Sequence, residues 1–302
     1  MRLRTKVLLA ALLMPVFALA QAGGAVVGLS ALNLRSAPDY ESSLETQMLM
    51  GAPVTVLEKD GYWWRISGSE PRYEGWTTEL CLVEMDGAEM ETWLRASKYV
   101  CTAELSHVLE KPSDDARRVC DLVMGDVLGK SLSPQGRPVR CGKFLKVFLP
   151  SGEEGYVHRS CLSDREVLKI SGSGRGEDIA ALACSFAGVP YLWGGNTVKG
   201  FDCSGLVWLC YHMNGIEMPR NASAQAREGV PVGLGELLPG DLVFFGRAAT
   251  EEKPMAVTHV AISLGGQRIV QASQLVRINS LDPSDADYYD RHPLFARRII
   301  SR

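Results

Sequence analysis

The sequence predicts an α+β protein in which two small all-β barrels precede a larger mixed domain. From about residue 26 to residue 83, short apolar alternations are separated by turns, and residues 99–162 repeat this texture more loosely. Several strands of about five residues within such a span are typical of a small barrel. From about residue 172 the pattern changes to an amphipathic helix followed by strands, which is typical of an α+β domain.

The composition of the 302-residue chain excludes several classes of protein. Apolar residues make up 46% and charged residues 22%, and the formal net charge is −3. The chain therefore has material for two or three cores and does not have the composition of a disordered protein. Lys and Arg are scattered rather than clustered, so we expect no nucleic-acid partner.

The first residues have the pattern of a secretory signal. A cationic start at residues 2–6 precedes the apolar run 7–19, and Ala18-Leu19-Ala20 is a small-x-small cleavage pattern. We therefore expect a cleaved signal peptide over residues 1–22 and a periplasmic or secreted mature protein. The run is too short to span a hydrocarbon core of ~30 Å comfortably, so an uncleaved anchor is the weaker alternative. We expect no stable membrane insertion after cleavage.

Two β modules are expected before the mixed domain. They occupy residues 23–85 and 99–165, and a linker of partly helical character joins them at residues 86–98. Two short motifs of the first module are echoed in the second. The echoed motifs are Met50-Gly51 with Met124-Gly125, and Glu74-Gly75-Trp76 with Glu154-Gly155-Tyr156. We interpret the two modules as an internal duplication with different loops.

Residues 172–302 are expected to form the third and largest domain, after a Gly/Ser-rich linker at residues 171–176. Residues 177–186 place their apolar side chains on one helical face, and Gly188 and Pro190 then end that helix. The expected strands are residues 242–245, 259–264, 268–272 and 296–300.

Cys203 is the candidate nucleophile of this domain. It follows Asp202, a good helix N-cap, and precedes the apolar residues 206–211, a pattern that predicts a buried helix with Cys203 in its first turn. The positive end of a helix dipole favours thiolate, so we expect a thiol pKa lowered from about 8.5. The alternative is a structural buried cysteine after an ordinary capping aspartate.

His259 is the candidate base. A hydrolase with a cysteine nucleophile needs an imidazole to take the thiol proton and a third polar group to fix the ring. Gln271, in the next expected strand, is the candidate for that third group. A two-residue turn would put His259 and Gln271 on opposite faces, whereas a three-residue loop from Gly265 to Gln267 puts them on one face, and we expect the longer loop. The alternative for His259 is a half-buried strand histidine without a chemical role.

Five separated motifs occur in order within residues 172–302. They are Tyr191-Leu192-Trp193-Gly194-Gly195, Asp202-Cys203-Ser204-Gly205, Pro219-Arg220, Pro239-Gly240-Asp241-Leu242-Val243-Phe244-Phe245 and Thr258-His259-Val260. Together they resemble the NlpC/p60 family of peptidoglycan endopeptidases, and the two β modules resemble bacterial SH3 domains. The whole arrangement is similar to γ-D-glutamyl-L-diamino-acid endopeptidases of the YkfC type. The resemblance implies a papain-like cysteine peptidase domain preceded by two SH3-like barrels.

The resemblance also implies an activity and a set of site residues. The activity is cleavage of the bond between γ-D-glutamate and a diamino acid in murein stem peptides, through a Cys203 thioester with His259 as base and Gln271 in the third catalytic position. That third residue is often His in relatives; Gln271 can accept a ring N–H bond but adds no charge. A free N-terminal L-Ala is expected at a closed end of the cleft, partly walled by the first module. The implied substrate-binding residues are Asp202 for the alanine ammonium, with Ser204, Tyr191, Trp193, Ser223 and Tyr73.

Several matters stay open at this stage. Relatives often place an acidic residue after the glycine that corresponds to Gly51, and here Ala52 leaves the first module's part in ammonium binding open. No cofactor or metal is indicated, since a His-Glu-x-x-His motif is lacking and the cysteines between residues 81 and 161 are about twenty residues apart. We expect a monomer that acts on murein peptide or peptidoglycan. A non-catalytic wall-binding protein, or an amidase or acyltransferase with the same Cys-His pair, are the alternative functions.

Overall fold

The computed structural model describes residues 24–166 and 175–300. The expected signal peptide and most of the expected linker at residues 171–176 lie outside the described residues. The described strands form seven-stranded, eight-stranded, two-stranded and six-stranded sheets. Within the described ranges, no helix has both the length and the apolar character needed to cross a membrane.

The first module, residues 24–85, is a single antiparallel sheet with strand order β3-β2-β6-β5-β4-β1-β7. Its strands are β1 (Gly24–Val27), β2 (Leu32–Arg35), β3 (Leu44–Met48), β4 (Pro53–Asp60), β5 (Trp63–Ser69), β6 (Arg72–Thr78) and β7 (Leu82–Met85), with a 3-10 helix at Glu79–Cys81. Side chains that alternate along a strand point to opposite faces. In β2, Leu32 and Leu34 are therefore buried in the core of the module, and Asn33 between them is exposed.

The stretch expected as a linker is helix α1 (Gly87–Arg95), which packs on the first module. Asp86 caps the helix, because its carboxylate accepts the N–H of Glu89 at 2.8 Å while the Glu89 side chain accepts the N–H of Asp86 at 3.0 Å. Trp93 is buried, and its indole Nε1 donates to the Gly51 carbonyl oxygen at 3.1 Å. The connection between the modules is thus a docked helix.

The second module, residues 98–164, has the strand order β10-β9-β14-β13-β11-β8-β15, which repeats the first module strand for strand. Its strands are β8 (Lys98–Cys101), β9 (Leu105–Leu109), β10 (Arg118–Val123), β11 (Val127–Lys130), β12 (Arg140–Cys141), β13 (Phe144–Phe148), β14 (Glu154–His158) and β15 (Leu162–Asp164). β12 is an addition that pairs with β13. Gly51 and Gly125 occupy matching turns, with φ values of 86° and 96°. This shared order is what an internal duplication predicts.

The C-terminal domain, residues 175–300, is built on a six-stranded antiparallel sheet with order β18-β23-β19-β20-β21-β22. Its strands are β16 (Asn196–Thr197), β17 (Gly200–Phe201), β18 (Val230–Val232), β19 (Pro239–Arg247), β20 (Ala256–Gly265), β21 (Arg268–Ser273), β22 (Leu275–Ser280) and β23 (Pro293–Arg298). Its helices are α2 (Gly176–Ser185), α3 (Cys203–Met213) and α4 (Ala222–Gln225), with a 3-10 helix at Leu234–Glu236. Helices α2 and α3 share one apolar core with alternate residues of β19 and β20.

The second module is joined to the C-terminal domain by apolar side chains. Val123 and Met124 lie in the same buried cluster as Leu206 and Leu209 of α3. Because burying such side chains is worth roughly 1.5–3 kcal/mol each, this contact holds α3 firmly against the module. The site at the start of α3 is thereby placed on a rigid base.

Candidate active site

Cys203 is the first residue of α3, as the sequence predicts, and Asp202 is its N-cap. One Asp202 carboxylate oxygen accepts the N–H of Gly205 at 2.7 Å, and the other accepts the N–H of Gly194 at 2.9 Å. The helix that follows is buried on nearly all sides. The Cys203 side chain is itself buried, with 8% of its surface exposed. The Cys203 thiol therefore lies in the first turn of a capped helix, where it is shielded from water.

The environment of Cys203 keeps its thiol protonated. The pKa of Cys203 is raised to about 11, mainly by burial and also by the Asp202 carboxylate, while the N–H groups of Val260 and Ser204 act in the opposite direction. The expectation of a lowered thiol pKa is therefore wrong for this site. Desolvation opposes the thiolate more strongly than the helix N-terminus favours it, and burial of this kind depends on tertiary packing that a local motif does not reveal.

His259 lies in β20 beside two aromatic rings that also contact each other. Its ring centroid is 5.7 Å from that of Phe245 and 5.6 Å from that of Tyr289, and 6% of the residue is exposed. The pKa of His259 is lowered to about 4, mainly by burial and also by the charge of Arg291, while contact with Gln271 and the charge of Asp202 act in the opposite direction. The imidazole is therefore neutral near pH 7 and able to accept a proton.

Gln271 lies on the same face as His259, but the turn between their strands differs from the expected one. Only Gly266 and Gln267 separate β20 from β21, so the expected three-residue loop is wrong. A register shift between Ser263 and Gly265 supplies the extra residue, and the ladder pairs Ile262 with Val270. The extra residue of this bulge reverses the face on which the following side chains lie, as a loop longer by one residue would, so His259 and Gln271 share one face.

A buried amide pair fixes the orientation of Gln271. Its Nε2 donates to Oδ1 of Asn279 at 2.9 Å, and the Asn279 amide donates in turn to the Asp287 carbonyl oxygen at 2.8 Å. Among the described residues, neither Gln271 Oε1 nor His259 Nε2 meets the distance and angle of a hydrogen bond. Gln271 is nevertheless near enough to His259 to raise the pKa of its ring, so the amide is in reach of the imidazole. Asn279 was not identified from the sequence, because only the pairing of β21 with β22 brings it beside Gln271.

The end of the β20–β21 ladder explains how the backbone reaches the thiol. Pairing stops at Ile262 and Val270, so the Val260 N–H has no partner in β21. It approaches the Cys203 sulfur instead and lowers its pKa. The Cys203 sulfur therefore lies near the backbone of β20 where its pairing with β21 ends. The N–H that it approaches belongs to Val260, the residue that follows His259.

Arg220 is a buried residue of the site to which the sequence assigned no role, although it lies in the Pro219-Arg220 motif. Its guanidinium donates to both carboxylate oxygens of Asp202 at 3.0 and 2.7 Å, and to the Ser204 hydroxyl at 3.0 Å. Its Nε donates to the hydroxyl of Thr46 in β3 at 2.8 Å. Arg220 therefore connects the residue before Cys203 to the first module.

The first module brings a carboxylate to the same region. The Tyr73 hydroxyl donates to Oε2 of Glu45 at 2.9 Å, and Asn221 of the C-terminal domain lies within hydrogen-bonding reach of that hydroxyl. Burial raises the pKa of Tyr73. Ala52, by contrast, lies in the core of the module. Ala52 thus takes the place of the acidic residue that relatives often have after Gly51, and the carboxylate close to Tyr73 is that of Glu45, which no sequence motif indicated.

The remaining sequence-derived residues differ in how near they lie to Cys203. The pKa of Tyr191 is raised to about 12, mainly by burial and also by the charges of Cys203 and Asp202, so the phenol lies near both of these groups. Ser204 is buried beside Asp202. Trp193 is 65% exposed, and Ser223 is an exposed residue of α4. Within the described ranges, no cluster of His, Cys, Asp and Glu side chains could hold a metal ion.

Two family models match this chain. The model described as the NlpC/P60 family matches residues 188–298, and the model described as the bacterial SH3 domain matches residues 30–78. The first range includes Cys203, His259 and Gln271. The second includes Glu45 and Tyr73, so the site draws residues from both matches.

Similar proteins extend over most of the chain. Dipeptidyl-peptidase 6 of Lysinibacillus sphaericus is 29% identical over 278 residues, which cover 89% of this chain and 93% of the relative. The γ-D-glutamyl-L-lysine dipeptidyl-peptidase of Bacillus subtilis is 28% identical over 269 residues, which cover 86% of this chain and 83% of the relative. The crystal structure of an NlpC/P60 family protein from Bacillus cereus superposes with a TM-score of 0.73 at 24% identity, over 92% of this chain and 99% of that protein. This chain therefore shares its fold with the Bacillus cereus protein over both β modules and the C-terminal domain.

Proposed function

We propose, from the premise that residues 188–298 are an NlpC/P60 domain and residues 30–78 a bacterial SH3 domain, that this protein is a cysteine peptidase of peptidoglycan. Its reaction is hydrolysis of the bond between γ-D-glutamate and a diamino acid in murein stem peptides. The observation that supports the proposal is a buried Cys203 thiol at a helix start, in reach of the N–H of Val260, the residue that follows the buried, neutral His259 in β20. The names of the relatives support the substrate class.

The first half of the reaction follows from the protonation states. His259 takes the proton of the Cys203 thiol as the sulfur attacks the γ-carbonyl carbon, so the two groups become charged only when substrate is present. The helix start supplies N–H groups to the oxyanion that forms. His259 then gives the proton to the leaving amine, the C–N bond breaks, and a Cys203 thioester remains. Gln271 Oε1 orients the ring by accepting from Nε2–H.

The second half of the reaction is hydrolysis of the thioester. His259 is neutral again after the amine departs, and it removes a proton from the attacking water. The C–S bond breaks, the dipeptide acid leaves, and the proton returns to the Cys203 sulfur. Tyr191, close to the thiol, is positioned beside the oxyanion in both halves.

The first module supplies recognition of a free amino terminus. Glu45 carries a carboxylate whose Oε2 accepts from Tyr73, which leaves other lone pairs for a ligand. A dipeptide L-Ala-γ-D-Glu has one ammonium, and that group is complementary to Glu45. The protein is therefore a dipeptidyl-peptidase that removes L-Ala-γ-D-Glu from stem peptides, and released muropeptides fit this cleft better than intact wall.

Asp202 takes a different part from the one the resemblance implies. Its carboxylate accepts from Gly194, Gly205, Ser204 and both terminal nitrogens of Arg220. With its lone pairs occupied in this way, Asp202 positions the start of α3 and adds negative charge to the ammonium site without binding the ammonium directly. Ser204, Trp193 and Ser223 are proposed to line the same site.

The location of the protein follows from its substrate. Peptidoglycan lies outside the cytoplasm, so the protein acts there, and the signal pattern of residues 1–22 makes it periplasmic or secreted. We expect the mature protein to act as a monomer, with no cofactor.

The proposal is tested by mass analysis of the products from L-Ala-γ-D-Glu-diaminopimelate. Cys203→Ala is expected to abolish hydrolysis, and His259→Ala to reduce it by about 10²–10⁴-fold, which is the usual contribution of a general base. Cys141→Ala, which removes a thiol of the second module, is the matched control and retains activity. Unchanged hydrolysis by Cys203→Ala would show that the proposal is wrong.

A further inference from the structure

Tyr289 is a buried residue of the C-terminal domain to which the proposed reaction assigns no role. It lies in the connection between β22 and β23, and 6% of it is exposed. Its ring centroid is 5.6 Å from that of His259, with 38° between the two ring planes. It is 5.2 Å from the ring centroid of Phe245, which it meets edge to face. The phenol ring is therefore part of the wall that keeps water from the imidazole.

Hydrogen bonds fix the connection that carries Tyr289. The Tyr289 N–H donates to the Ser280 carbonyl oxygen at 2.8 Å, and the Ser280 N–H donates to the Asp287 carbonyl oxygen at 3.1 Å. The Asp287 carboxylate accepts from two nitrogens of Arg268 in β21 at 3.0 and 2.7 Å. The segment that leads into Tyr289 is thus tied to both β21 and β22.

The same segment also fixes Gln271. The Asp287 carbonyl oxygen accepts from the Asn279 amide, and Asn279 Oδ1 accepts from Gln271 Nε2. Asp287 and Tyr289 are two residues apart in the chain. One short segment therefore sets both the amide that is in reach of His259 and the aromatic ring that packs against it.

The contact with His259 is made by the ring of Tyr289 and involves no hydrogen bond from its hydroxyl. Among the described residues, the buried Tyr289 hydroxyl oxygen meets the distance and angle of a hydrogen bond with none, and Ser273 is a side chain within its reach. The Arg291 guanidinium lies 5.8 Å from the Tyr289 ring centroid. The ring therefore also keeps this cation near His259.

We propose that Tyr289 is a positioning residue for the catalytic base, and that its ring holds the His259 imidazole in its reactive orientation and shields it from water. The inference rests on the proposed function, in which His259 takes the proton of the Cys203 thiol. A base that is already oriented and dry needs little reordering of itself or of solvent when it takes that proton. Because Gln271 adds no charge to hold the imidazole, packing against Tyr289 carries a larger share of this task.

The groups that face His259 decide how its pKa responds to loss of the ring. The titratable ones are Arg291 and Tyr289 of the connection, and Asp202 and Cys203 at the start of α3. Arg291 lowers the pKa of His259 and Asp202 raises it, whereas burial raises the pKa of both the Tyr289 phenol and the Cys203 thiol and keeps them neutral. Burial is the largest cause of the lowered pKa of His259. Admitting water stabilises the protonated imidazole, so its pKa should rise from about 4 toward the ordinary value near 6.5.

The first test compares two variants of the mature full chain with L-Ala-γ-D-Glu-diaminopimelate as substrate. Tyr289→Leu removes the ring, and kcat/KM near neutral pH should fall about tenfold to a hundredfold, as it does when a reacting group is misplaced. The acid limb of the pH profile of kcat/KM should move up by about one to two pH units. Tyr289→Phe retains the ring and should stay within about twofold of the unaltered enzyme at each pH, because the hydroxyl that it removes makes no hydrogen bond within the described ranges.

Phe295→Leu is the matched control. Phe295 stacks on Phe244 at 5.3 Å and has the Arg297 guanidinium 5.6 Å from its ring centroid, so it has the same kinds of neighbour as Tyr289. Its loss should leave the acid limb in place.

The second test needs neither a variant nor activity. Exchange of hydrogen for deuterium at C2 of each imidazole, followed by mass spectrometry, reports how far water reaches each histidine. In the unaltered chain His259 should exchange more slowly than the exposed His292. Tyr289→Leu should accelerate exchange at His259 alone. The comparison within the unaltered chain tests the shielding even where Tyr289→Leu is unstable.

Four results would overturn the inference. They are exchange at His259 as fast as at His292 in the unaltered chain, an acid limb that Tyr289→Leu leaves in place, a loss in Tyr289→Phe equal to that in Tyr289→Leu, and an equal shift in Phe295→Leu. Each of these leaves the proposed function intact, because the unaltered enzyme still cuts the peptide. Failure of the unaltered enzyme to cut it would remove the proposed function, while exchange at His259 would still report whether the ring shields the imidazole.

Discussion

The two β modules have the same strand order, yet they contact the C-terminal domain in different ways. The first module reaches it mainly through polar groups of β3, since Thr46 accepts from Arg220 and Gln47 accepts from the N–H of Asn196 at 3.2 Å, while Leu49 alone of this module lies in the described apolar cluster that contains α3. The second module reaches it mainly through apolar side chains that share a core with α3, and also through a partly exposed ion pair between Asp121 and Lys199. The same module fold therefore contacts the C-terminal domain in two ways, depending on which of the module's residues face that domain.

This difference suggests that the first module selects the substrate and that the second module stabilises the C-terminal domain. Polar contacts depend on geometry, and here they end at Asp202, the residue before Cys203. Apolar contacts are less directional but stabilise the start of α3 against movement. We therefore expect changes in the first module to alter which peptides are cut, and changes in the second module to alter stability alone.

The largest effect is expected from Arg220→Ala, which breaks the polar connection at its centre. Asp202 would be left as a buried carboxylate without its cation, and such a loss costs about 3–5 kcal/mol of unfolding free energy. Urea denaturation measures it, and activity should fall because the start of α3 loses its anchor. Arg165→Ala, which removes an ion pair with Glu70 between the modules at 3.0 Å, should cost at most about 1 kcal/mol. If both variants lost the same unfolding free energy, Arg220 would not be the residue that holds the polar contact together.

Glu45→Gln sharpens the comparison within the first module. It retains the size of the side chain and removes the charge proposed to bind the substrate ammonium. We expect kcat/KM for a peptide with a free N-terminal L-Ala to fall about tenfold to a hundredfold, the range for a lost charged hydrogen bond. Cleavage of an N-acetylated peptide should be unchanged. An equal fall with both peptides would assign Glu45 a structural role.

A smaller effect is expected from Gly125→Ala in the second module. Gly125 has a φ of 96°, and an added Cβ would lie 2.5 Å from the Leu49 Cδ1 atom, so the variant should lose about 1–2 kcal/mol of unfolding free energy. Gly136→Ala is the matched control, since Gly136 has a φ of 73° and open space around it. The difference between the two variants isolates the packing between modules. A changed ratio of cleavage between free and blocked peptides would contradict a purely supporting role.

The pH dependence gives the smallest effect near neutrality. The proposed base is neutral His259, whose pKa is lowered to about 4, so kcat/KM should hold constant as the pH falls to about 5 and decline below that. The free energy of unfolding is also expected to decrease as the pH falls. The unfolded histidine binds a proton at an ordinary pKa near 6.5, so stability is lost as the pH falls from about 6.5 to 4. A decline in kcat/KM centred near pH 6.5 would contradict the burial of the base.

The parts of the site that the sequence predicts are those set by local patterns. Asp202 and Cys203 follow from a capping residue and an apolar helix, and His259 and Gln271 follow from strand periodicity, even though the turn that aligns them was predicted wrongly. Arg220 and Glu45 were missed because their roles depend on partners far along the chain; Arg220 and Thr46 are 174 residues apart. The direction of the Cys203 pKa shift was missed for the same reason, since desolvation depends on the whole assembly.

The most direct test of the account is the ratio of kcat/KM for L-Ala-γ-D-Glu-diaminopimelate with a free and with an N-acetylated alanine, measured on the same enzyme preparation. Acetylation removes the ammonium and leaves the half-buried Glu45 carboxylate against a neutral group, so it is expected to lower kcat/KM by about a hundredfold or more. Equal values for the two peptides would show that the first module does not recognise the amino terminus, and would contradict the division of tasks between the two modules.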